Sequence, residues 1–335
     1  MNRAYSFIVP VYNRPEETRE LLQSMVALKF SRKFEVVIIE DGSSRTSEDV
    51  VKEFSEQLQI SYYFKDNSGP GKSRNYGMQR AKGNYFLILD SDVILPADYL
   101  QQVDKSLDNE YCDCFGGPDG AHKTFSDIQK AIDFSMTSFL TTGGIRGGKN
   151  AVSKFQPRSF NMGLSKEAFE ATGGFGNIHP GEDPDLSLRL EKLNFKTCLI
   201  SKAIVFHKRR IDWEKFYDQV HKFGLTRPIL NKWHKGSGKI TYWFPSLFII
   251  AFVISVLAIR IGIWWMLGLF IVYFLVLFLL AVVKTKSARI GFLAIIATLI
   301  QFFGYGYGFL KSSWTMLILK ANPEEAYPGL FFKDA

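Results

Sequence analysis

Short apolar runs alternate with segments of helical periodicity over the first 204 residues. The runs are bounded by polar turns, and the segments between them carry apolar residues three and four positions apart. This alternation predicts an α/β fold in which a mostly parallel sheet is covered by helices on both faces. The predicted strands are Ser6–Val11, Phe34–Ile39, Ile60–Phe64, Tyr85–Leu89 and Thr197–Phe206, and the predicted helices are Pro15–Lys29, Thr46–Gln57, Gly71–Ala81 and Asp185–Leu193.

The last third of the chain has a different pattern, with three apolar runs that lack charged residues. They are 241–259, 261–283 and 290–310. Each run holds about 20 residues, and roughly 20 helical residues cross the ~30 Å hydrocarbon core of a bilayer. The pattern predicts an α/β domain over 1–204, a basic amphipathic juxtamembrane segment over 205–240, three transmembrane helices within 241–319 and a tail over 320–335.

The charge distribution supports a membrane partner. The chain carries 41 Lys and Arg against 33 Asp and Glu, a formal net charge of +8, and the excess lies beside the apolar runs rather than over a folded face, so no nucleic-acid partner is expected. Basic loops stay in the cytoplasm. The segment Lys208–Lys239 and the loop Lys284–Arg289 are therefore expected inside, and the turn at Arg260 outside. Residues 1–240 would be cytosolic, and three crossings place the C-terminus outside unless the tail lies in the membrane interface.

Polar side chains stand where three of the predicted strands end. They are Tyr12-Asn13-Arg14, Asp41, and the pair Asp90 and Asp92. Ligands of such sheets bind beyond the carboxyl ends of the strands, and no dinucleotide-binding or Walker motif follows any strand. A hard divalent cation, Mg²⁺ or Mn²⁺, would relieve the repulsion between Asp90 and Asp92, although Asp-Ser-Asp is also a common turn sequence. His207 is a third candidate metal ligand or an ordinary strand-end histidine.

Two further acidic positions each allow two interpretations. Asp41 could accept hydrogen bonds from a base or ribose, or it could belong to the N-cap region of the next helix. Glu182 and Asp183 open a helix, where the helix dipole favours acidic residues, or one of them is a general base. The sequence offers no Ser-His-Asp arrangement and no cysteine with a matched histidine. A general base combined with a metal-assisted leaving group is therefore the chemistry best supported.

Together these motifs resemble those of the family-2 inverting glycosyltransferases of the GT-A fold, a Rossmann-like domain that binds nucleotide sugars. The resemblance covers roughly Tyr5–Arg227. Its motifs are Val9-Pro10-Val11-Tyr12-Asn13-Arg14, Glu40-Asp41-Gly42-Ser43, Gly71-Lys-Ser-Arg74-Asn75-Tyr-Gly77, Asp90-Ser91-Asp92, Asn161-Met-Gly163, Gly173-Gly174-Phe175 and Gly181-Glu182-Asp183.

The resemblance implies a role for each of these residues. Asp41 would contact the nucleotide base, Asp90 the ribose or metal, and Asp92 the metal. Arg74 would lie near the diphosphate, and Asp183 would be the catalytic base with Glu182 beside it. The remaining donor-binding residues would be Pro10, Tyr12, Asn13, Arg14, Asn75 and Ser91, and the acceptor-binding residues Asn161, Gly163, Gln219 and Lys222.

The activity implied is transfer of a sugar from a nucleotide-diphosphate sugar, UDP by default, to a hydroxyl of a lipid-linked or polysaccharide acceptor. The enzyme would be bacterial, metal-dependent, inverting and anchored in the inner membrane, with a role in cell-envelope polysaccharide biosynthesis. Gln219-Val-His-Lys222-Phe223 resembles the Gln-x-x-Arg-Trp box of processive synthases, with Lys and Phe in place of Arg and Trp. A polyprenyl-phosphate glycosyltransferase is one alternative, and a non-catalytic scaffold that binds nucleotide sugar or a partner is another.

Two other features carry weaker expectations. The three cysteines are too few and too irregularly spaced for a disulfide framework or a four-ligand zinc site, so reduced thiols are expected. The stretch Thr141–Lys154 is rich in glycine and holds Arg146 and Lys149. It is expected to be a mobile loop or a lid over an anionic ligand.

Overall fold

A computed structural model describes residues 3–120, 125–143, 156–207 and 212–332 of the chain. The chain divides into two compact units. The first unit comprises residues 1–122, 153–208 and 331–335, and the second comprises residues 123–152 and 209–330. Most of the predicted glycine-rich loop and the start of the basic juxtamembrane segment lie outside the described residues.

The strands and helices follow the predicted alternation through the first hundred residues. The strands are β1 (Tyr5–Val11), β2 (Glu35–Asp41), β3 (Gln59–Lys65), β4 (Tyr85–Leu89), β5 (Val93–Ile94), β6 (Cys114–Gly116), β7 (Asp119–Gly120), β8 (Asn161–Ser165), β9 (Thr197–Leu199) and β10 (Val205–His207). The helices are α1 (Pro15–Val26), α2 (Glu48–Phe54), α3 (Pro70–Arg80), α4 (Tyr99–Asn109), α5 (Asp127–Thr137), α6 (Phe139–Thr142), α7 (Lys166–Thr172), α8 (Glu182–Lys192), α9 (Trp213–Trp233), α10 (Phe244–Ala258), α11 (Trp265–Thr285), α12 (Ala288–Ser313) and α13 (Pro323–Ala326).

A seven-stranded sheet forms the centre of the first unit, in the order β3-β2-β1-β4-β8-β6-β9. Strands β3, β2, β1 and β4 are parallel, and β8 is antiparallel to both of its neighbours. Strands β1, β2 and β4 are almost wholly buried because apolar clusters cover both faces of the sheet. The predicted α/β fold with a mostly parallel sheet is confirmed.

The predicted strand Thr197–Phe206 is wrong in one respect, because the structure divides it into two strands. β9 closes the edge of the large sheet, whereas β10 pairs with β5 and β7 in a second, three-stranded sheet. A turn at residues 201–202 separates them. The sequence places Ser201 and Lys202 there, and two polar residues inside an apolar run are the signal that a single-strand prediction overlooks.

The expectation of reduced cysteines is also wrong for two of the three. Cys112 and Cys198 form a disulfide with their Cα atoms 6.2 Å apart, and Cys114 is a buried free thiol. The bonded pair is separated by 86 residues in sequence. The two cysteines are close in space because β6 and β9 pair in parallel, with Phe115 opposite Cys198. The spacing of cysteines along the sequence does not reveal this pairing.

The second unit contains three helical segments that are long and apolar enough to cross a membrane, as predicted. They are Ile240–Ile261, Trp265–Thr285 and Ala288–Ile318. The third is covered by protein over much more of its length than the second, with 44% against 11% of its apolar window buried. The stretch predicted to be amphipathic, Trp213–Phe223, is the first half of α9, and α9 is the main partner of α12.

Glycines allow α9 and α12 to approach closely. A Cβ atom on Gly224 of α9 would lie 2.2 Å from the carbonyl oxygen of Tyr305. A Cβ atom on Gly308 of α12 would lie 2.5 Å from the carbonyl oxygen of His221. The two backbones therefore touch, which a larger residue at either position would prevent.

Candidate active site

Asp41 organises the loop that connects β3 to α3. It is the last residue of β2 and is 3% exposed. Its carboxylate accepts hydrogen bonds from the backbone N–H groups of Ser68 and Gly69, both at 2.9 Å, and forms an ion pair with Lys65. The N-cap residue of the following helix, α2, is Ser47, so Asp41 has no capping role there. Its position at the carboxyl end of a parallel strand is the one expected for a residue that contacts a nucleotide.

The segment that follows β1 is held against the Asp41 turn. Asn13 has a left-handed backbone (φ 55°), and its side-chain oxygen accepts hydrogen bonds from the N–H groups of Ser44 and Arg45, both at 2.9 Å. Tyr12 keeps 53% of its surface exposed. Asn13 therefore shapes the edge of the site, and Tyr12 offers an aromatic ring to a ligand.

Arg74 joins the aspartate motif after β4 to the acidic pair at the start of α8. Its side chain is 4% exposed, with Nη2 2.7 Å from Oδ1 of Asp90 and Nη1 3.2 Å from Oε1 of Glu182. The guanidinium also lies over the ring of Phe175, 5.2 Å from its centroid. Burial would lower the pKa of Arg74, but the charges of Asp90 and Glu182 outweigh it and the pKa is raised.

The second aspartate of the motif has a basic partner of its own. Asp92 forms an ion pair with Arg14, and Ser91 between the two aspartates is buried. β10 pairs antiparallel with β5, which places His207 opposite Val93, one residue after Asp92. The backbone therefore brings the third predicted metal ligand beside the aspartate motif, while the side chain of His207 lies outside the described part of the chain.

The start of α8 presents the predicted base. Glu182 accepts a hydrogen bond from the N–H of Gly181 at 2.9 Å, and Nδ1 of His179 lies 2.9 Å from its other oxygen. Burial would raise the pKa of Glu182, but the neighbouring His179, which is hydrogen-bonded to it, and the charge of Arg74 outweigh burial, and the pKa is lowered. Glu182 is therefore a fixed negative charge.

Asp183 behaves in the opposite way. Burial, and after it the negative charge of Glu182, raise the pKa of Asp183 to about 6. Its Oδ1 atom is buried and has no hydrogen-bond partner among the described residues. A carboxylate with a free oxygen and a pKa near neutrality is suited to accept a proton.

Two predicted site residues have their side chains engaged by hydrogen bonds within the protein. Asn75 exchanges hydrogen bonds with the backbone of Phe175, at 2.8 and 2.9 Å, so it clamps the Gly173-Gly174-Phe175 turn rather than facing a donor. Asn161 is fully buried, and its side chain is bonded to the hydroxyl of Tyr99 and the carbonyl of Ala203, both at 2.7 Å.

Gly163 is engaged by packing rather than by hydrogen bonds. It lies in β8 with the ring of Phe115 against it, so that an added Cβ atom would lie 2.0 Å from that ring. Asn161 and Gly163 are thus packed in the core, and their acceptor-binding role stays a prediction. The donor-binding role of Asn75 stays a prediction as well.

The remaining predicted residues are distributed as follows. Pro10 is in β1 and partly buried. Gln219 and Lys222 belong to α9 of the second unit, where Gln219 is partly buried and Lys222 exposed. The sequence interpretation missed Lys65 and His179, which contact Asp41 and Glu182. Lys65 could have been found from its position at the end of β3, opposite Asp41 in register.

The fold is that of a GT-A domain, with a mostly parallel sheet and carboxylates after β2, after β4 and at the start of α8. Residues 6–167 match the sequence profile of glycosyl transferase family 2. Over this stretch, just under half of its length, the chain is similar to glycosyl transferase family 2.

Two relatives with assigned names are glycosyltransferases. The chain is 36% identical over 101 residues to the glycosyltransferase GlyA of Streptococcus pneumoniae, which is 30% of this chain and 14% of the relative. It is 31% identical over 112 residues to the poly(ribitol-phosphate) beta-N-acetylglucosaminyltransferase TarS of Staphylococcus aureus, which is 32% of this chain and 20% of the relative. The chain thus matches a fifth or less of the length of these two relatives.

Solved structures share the fold. The mannosyltransferase PcManGT from Pyrobaculum calidifontis, in complex with GDP-Man and Mn²⁺, is 15% identical with a TM-score of 0.59, and the match covers 94% of this chain and 88% of that one. TarS 1-349 from S. aureus is 18% identical with a TM-score of 0.50, over 92% of this chain and 90% of that one. At these identities the likeness establishes the fold.

Proposed function

We propose that this protein is a membrane-anchored bacterial glycosyltransferase that transfers a sugar, with inversion, from a nucleotide-diphosphate sugar to a hydroxyl of a lipid-linked or polysaccharide acceptor. The observation that carries the proposal is the partly buried Asp183, whose Oδ1 atom is buried with no hydrogen-bond partner among the described residues and whose pKa is raised. It lies next to Glu182, which Arg74 connects to Asp90 at the donor end of the site.

The donor side of the proposal rests on the strand ends. Asp41 would contact the nucleotide base, and the exposed ring of Tyr12 would lie beside that base. Arg14 and Arg74 supply positive charge where a diphosphate would lie. The similar structure of PcManGT holds GDP-Man, a sugar on a nucleoside diphosphate. The name of TarS describes transfer of N-acetylglucosamine. We take UDP as the default nucleotide.

The aspartate motif also fits a divalent cation, Mg²⁺ or Mn²⁺. Asp90 and Asp92 present carboxylate oxygens, which such cations prefer, and the strand register adds His207 beside them. In the structure these two carboxylates are paired with Arg74 and Arg14, so a bound cation would share them with the two guanidinium groups. A bound cation would neutralise charge on the leaving diphosphate.

The protein groups would carry out the transfer in one displacement. Asp183 removes the proton of the acceptor hydroxyl while the oxygen of that hydroxyl bonds to the anomeric carbon. The bond from that carbon to the donor phosphate oxygen breaks, and its electron pair leaves with the nucleoside diphosphate near Arg74. Attack opposite the leaving group inverts the anomeric centre. A positioned base contributes about 10²–10⁴-fold, or roughly 3–5 kcal/mol of barrier.

The test uses the full chain in detergent or membranes, with a panel of UDP- and GDP-sugars and extracted lipid-linked acceptors. Asp183→Asn should retain donor binding and lose turnover by about 10²-fold or more. Asp49→Asn is the matched control, because Asp49 is also in a first helical turn but is fully solvent-exposed. Near-normal kcat in Asp183→Asn would refute the base, and it would favour a phosphate acceptor, which is already ionised and needs no base.

The cation has its own test. EDTA should abolish turnover reversibly, and Asp92→Asn should abolish it in the presence of Mn²⁺. Full activity in EDTA, together with unchanged donor affinity in Asp92→Asn, would overturn the metal role while leaving the proposed transfer intact.

The localisation proposed is the inner membrane, with residues 1–240 in the cytosol. The basic residues beside the apolar helices support it through the positive-inside tendency. Thiol alkylation of intact cells followed by denaturation tests it. A Cys112–Cys198 disulfide that persists in living cells would count against the cytosol, where thiols are kept reduced.

A further inference from the structure

The last described residues of the chain pack on the first unit. Phe331 forms an isolated antiparallel bridge with Ile178. The ring of Phe332 lies against Gly69, and a Cβ atom added to Gly69 would be 2.3 Å from the Cδ2 atom of that ring. The ring centroid of Phe332 is also 6.0 Å from that of His179. Two separate contacts therefore fix this aromatic side chain.

These contacts lie at the two ends of the proposed site. Gly69 donates its N–H to Asp41 at 2.9 Å, and His179 contacts Glu182 beside the proposed base at 2.9 Å. Gly69 has φ +87° and lacks a side chain, so the ring of Phe332 takes the space that a Cβ atom would occupy. Phe332 remains partly exposed, which leaves part of its ring accessible to a ligand.

We propose that Phe332 is a donor-binding residue that forms an apolar wall between the Asp41 end and the Glu182 end of the site. Aromatic rings stack on nucleotide bases and pack against nonpolar faces of sugars, and a base stacked on a protein ring gains substantially in affinity. The inference rests on the proposed function. Phe332 lies far outside the stretch that matches the family profile, 6–167, so it comes from the structure and from no motif.

The test measures binding of UDP and of GDP, each with Mn²⁺, to the detergent-purified full chain by calorimetry. Phe332→Ala should raise the Kd of the bound nucleotide about tenfold, which corresponds to about 1.4 kcal/mol. Phe332→Tyr should keep it within about twofold. Leu193→Ala, at an exposed position after α8, controls for the loss of an apolar side chain from the surface of the same unit.

A second variant reports directly on contact with the ligand. All six tryptophans of the chain lie between residues 213 and 314, so Phe332→Trp introduces one into the first unit. Its emission, obtained as the difference from wild type, should shift or be quenched when the nucleotide is added. In the double variant Asp41→Asn, Phe332→Trp, addition of the nucleotide should leave this difference spectrum unchanged.

The outcomes separate this inference from the proposed function. If wild type binds a nucleotide and Phe332→Ala binds it equally or more tightly, Phe332 is not part of the donor site and only this inference fails. An unresponsive tryptophan in a variant that binds the nucleotide would refute the inference in the same way. If wild type binds neither nucleotide, the proposed function fails and this inference fails with it.

Discussion

Arg74 is held by two carboxylates that belong to different parts of the site, Asp90 after β4 and Glu182 at the start of α8. The planar guanidinium reaches both at once, and a lysine ammonium on a flexible stem has no such fork. Arg74 therefore connects Asp90, in the proposed donor site, to Glu182, beside the proposed base, by geometry as well as by charge.

Replacing Arg74 tests this coupling. Arg74→Met leaves Glu182 buried with less positive charge, and breaking a buried pair costs about 3–5 kcal/mol; we expect a clear fall in the Tm. Arg74→Lys should keep most of that stability while lowering kcat/KM. Arg80→Lys on the exposed end of the same helix is the control. Equal kcat/KM in Arg74→Lys and wild type would contradict the geometric role.

The pH dependence follows from the raised pKa of Asp183. The base works only when deprotonated, so kcat/KM should fall about tenfold per pH unit below about pH 6 and level off above it. Glu182→Gln removes the neighbouring negative charge, which makes Asp183 easier to ionise, and the acid limb should move to lower pH. Glu170→Gln, exposed on α7, should leave the limb in place. An acid limb that does not move in Glu182→Gln would show that another group titrates.

Residue types and strand ends were sufficient to place Asp41 and the aspartate motif at the carboxyl ends of parallel strands and the acidic pair at the start of a helix, while the roles of these residues stay predictions. They were not sufficient for Asn161 and Gly163. A polar residue at the start of a buried strand looks the same in sequence whether it faces a ligand or is hydrogen-bonded within the protein. Asn161 is hydrogen-bonded to a tyrosine hydroxyl and a backbone carbonyl. Phe332 gave no signal at all, since its partners are more than 150 residues away.

Among the elements, the contact between α9 and α12 departs most from what the sequence predicts. Hydropathy measures how apolar a helix is, and it predicted a third span. It does not show what covers the helix. The glycines on α12 were visible in the sequence, but their meaning depends on the partner helix. That helix places the side chain of Val220 against Gly304 and its own backbone against Gly308.

Gly308→Ala tests that contact. The added methyl group would meet the backbone carbonyl of His221 at 2.5 Å, and overpacking of this kind typically costs about 1–3 kcal/mol. Gly268→Ala on α11 is the matched control, because nothing lies within 4 Å of the added carbon. Thermal unfolding in detergent should show a lowered Tm for Gly308→Ala and an unchanged or slightly raised Tm for Gly268→Ala. Similar values for the two variants would mean that the helices can separate without loss.

For the whole molecule, the three apolar helices could be predicted, since they follow from composition along the chain, whereas the predicted domain 1–204 did not anticipate that residues 123–152 fall in the second unit. The path of the chain beyond the last apolar helix could not, because the tail has neither a strong period nor a motif. The structure supplies the missing fact that Phe331 and Phe332 belong to the first unit.

That return of the tail constrains how many times the polypeptide can pass through a bilayer. The chain leaves the first unit at residue 208 and re-enters it at residue 331, so we expect the intervening segment to start and finish on one side of the membrane and to cross it an even number of times. Two crossings by α10 and α11 as a hairpin would then leave α12 on the starting side. Single cysteines at Arg260, Lys286 and Lys320 check this in intact cells. A membrane-impermeant thiol reagent should label the cysteine at position 260 and should not label those at positions 286 and 320. Labelling at position 320 would mean an odd number of membrane crossings, which is incompatible with the contact between Phe332 and Gly69.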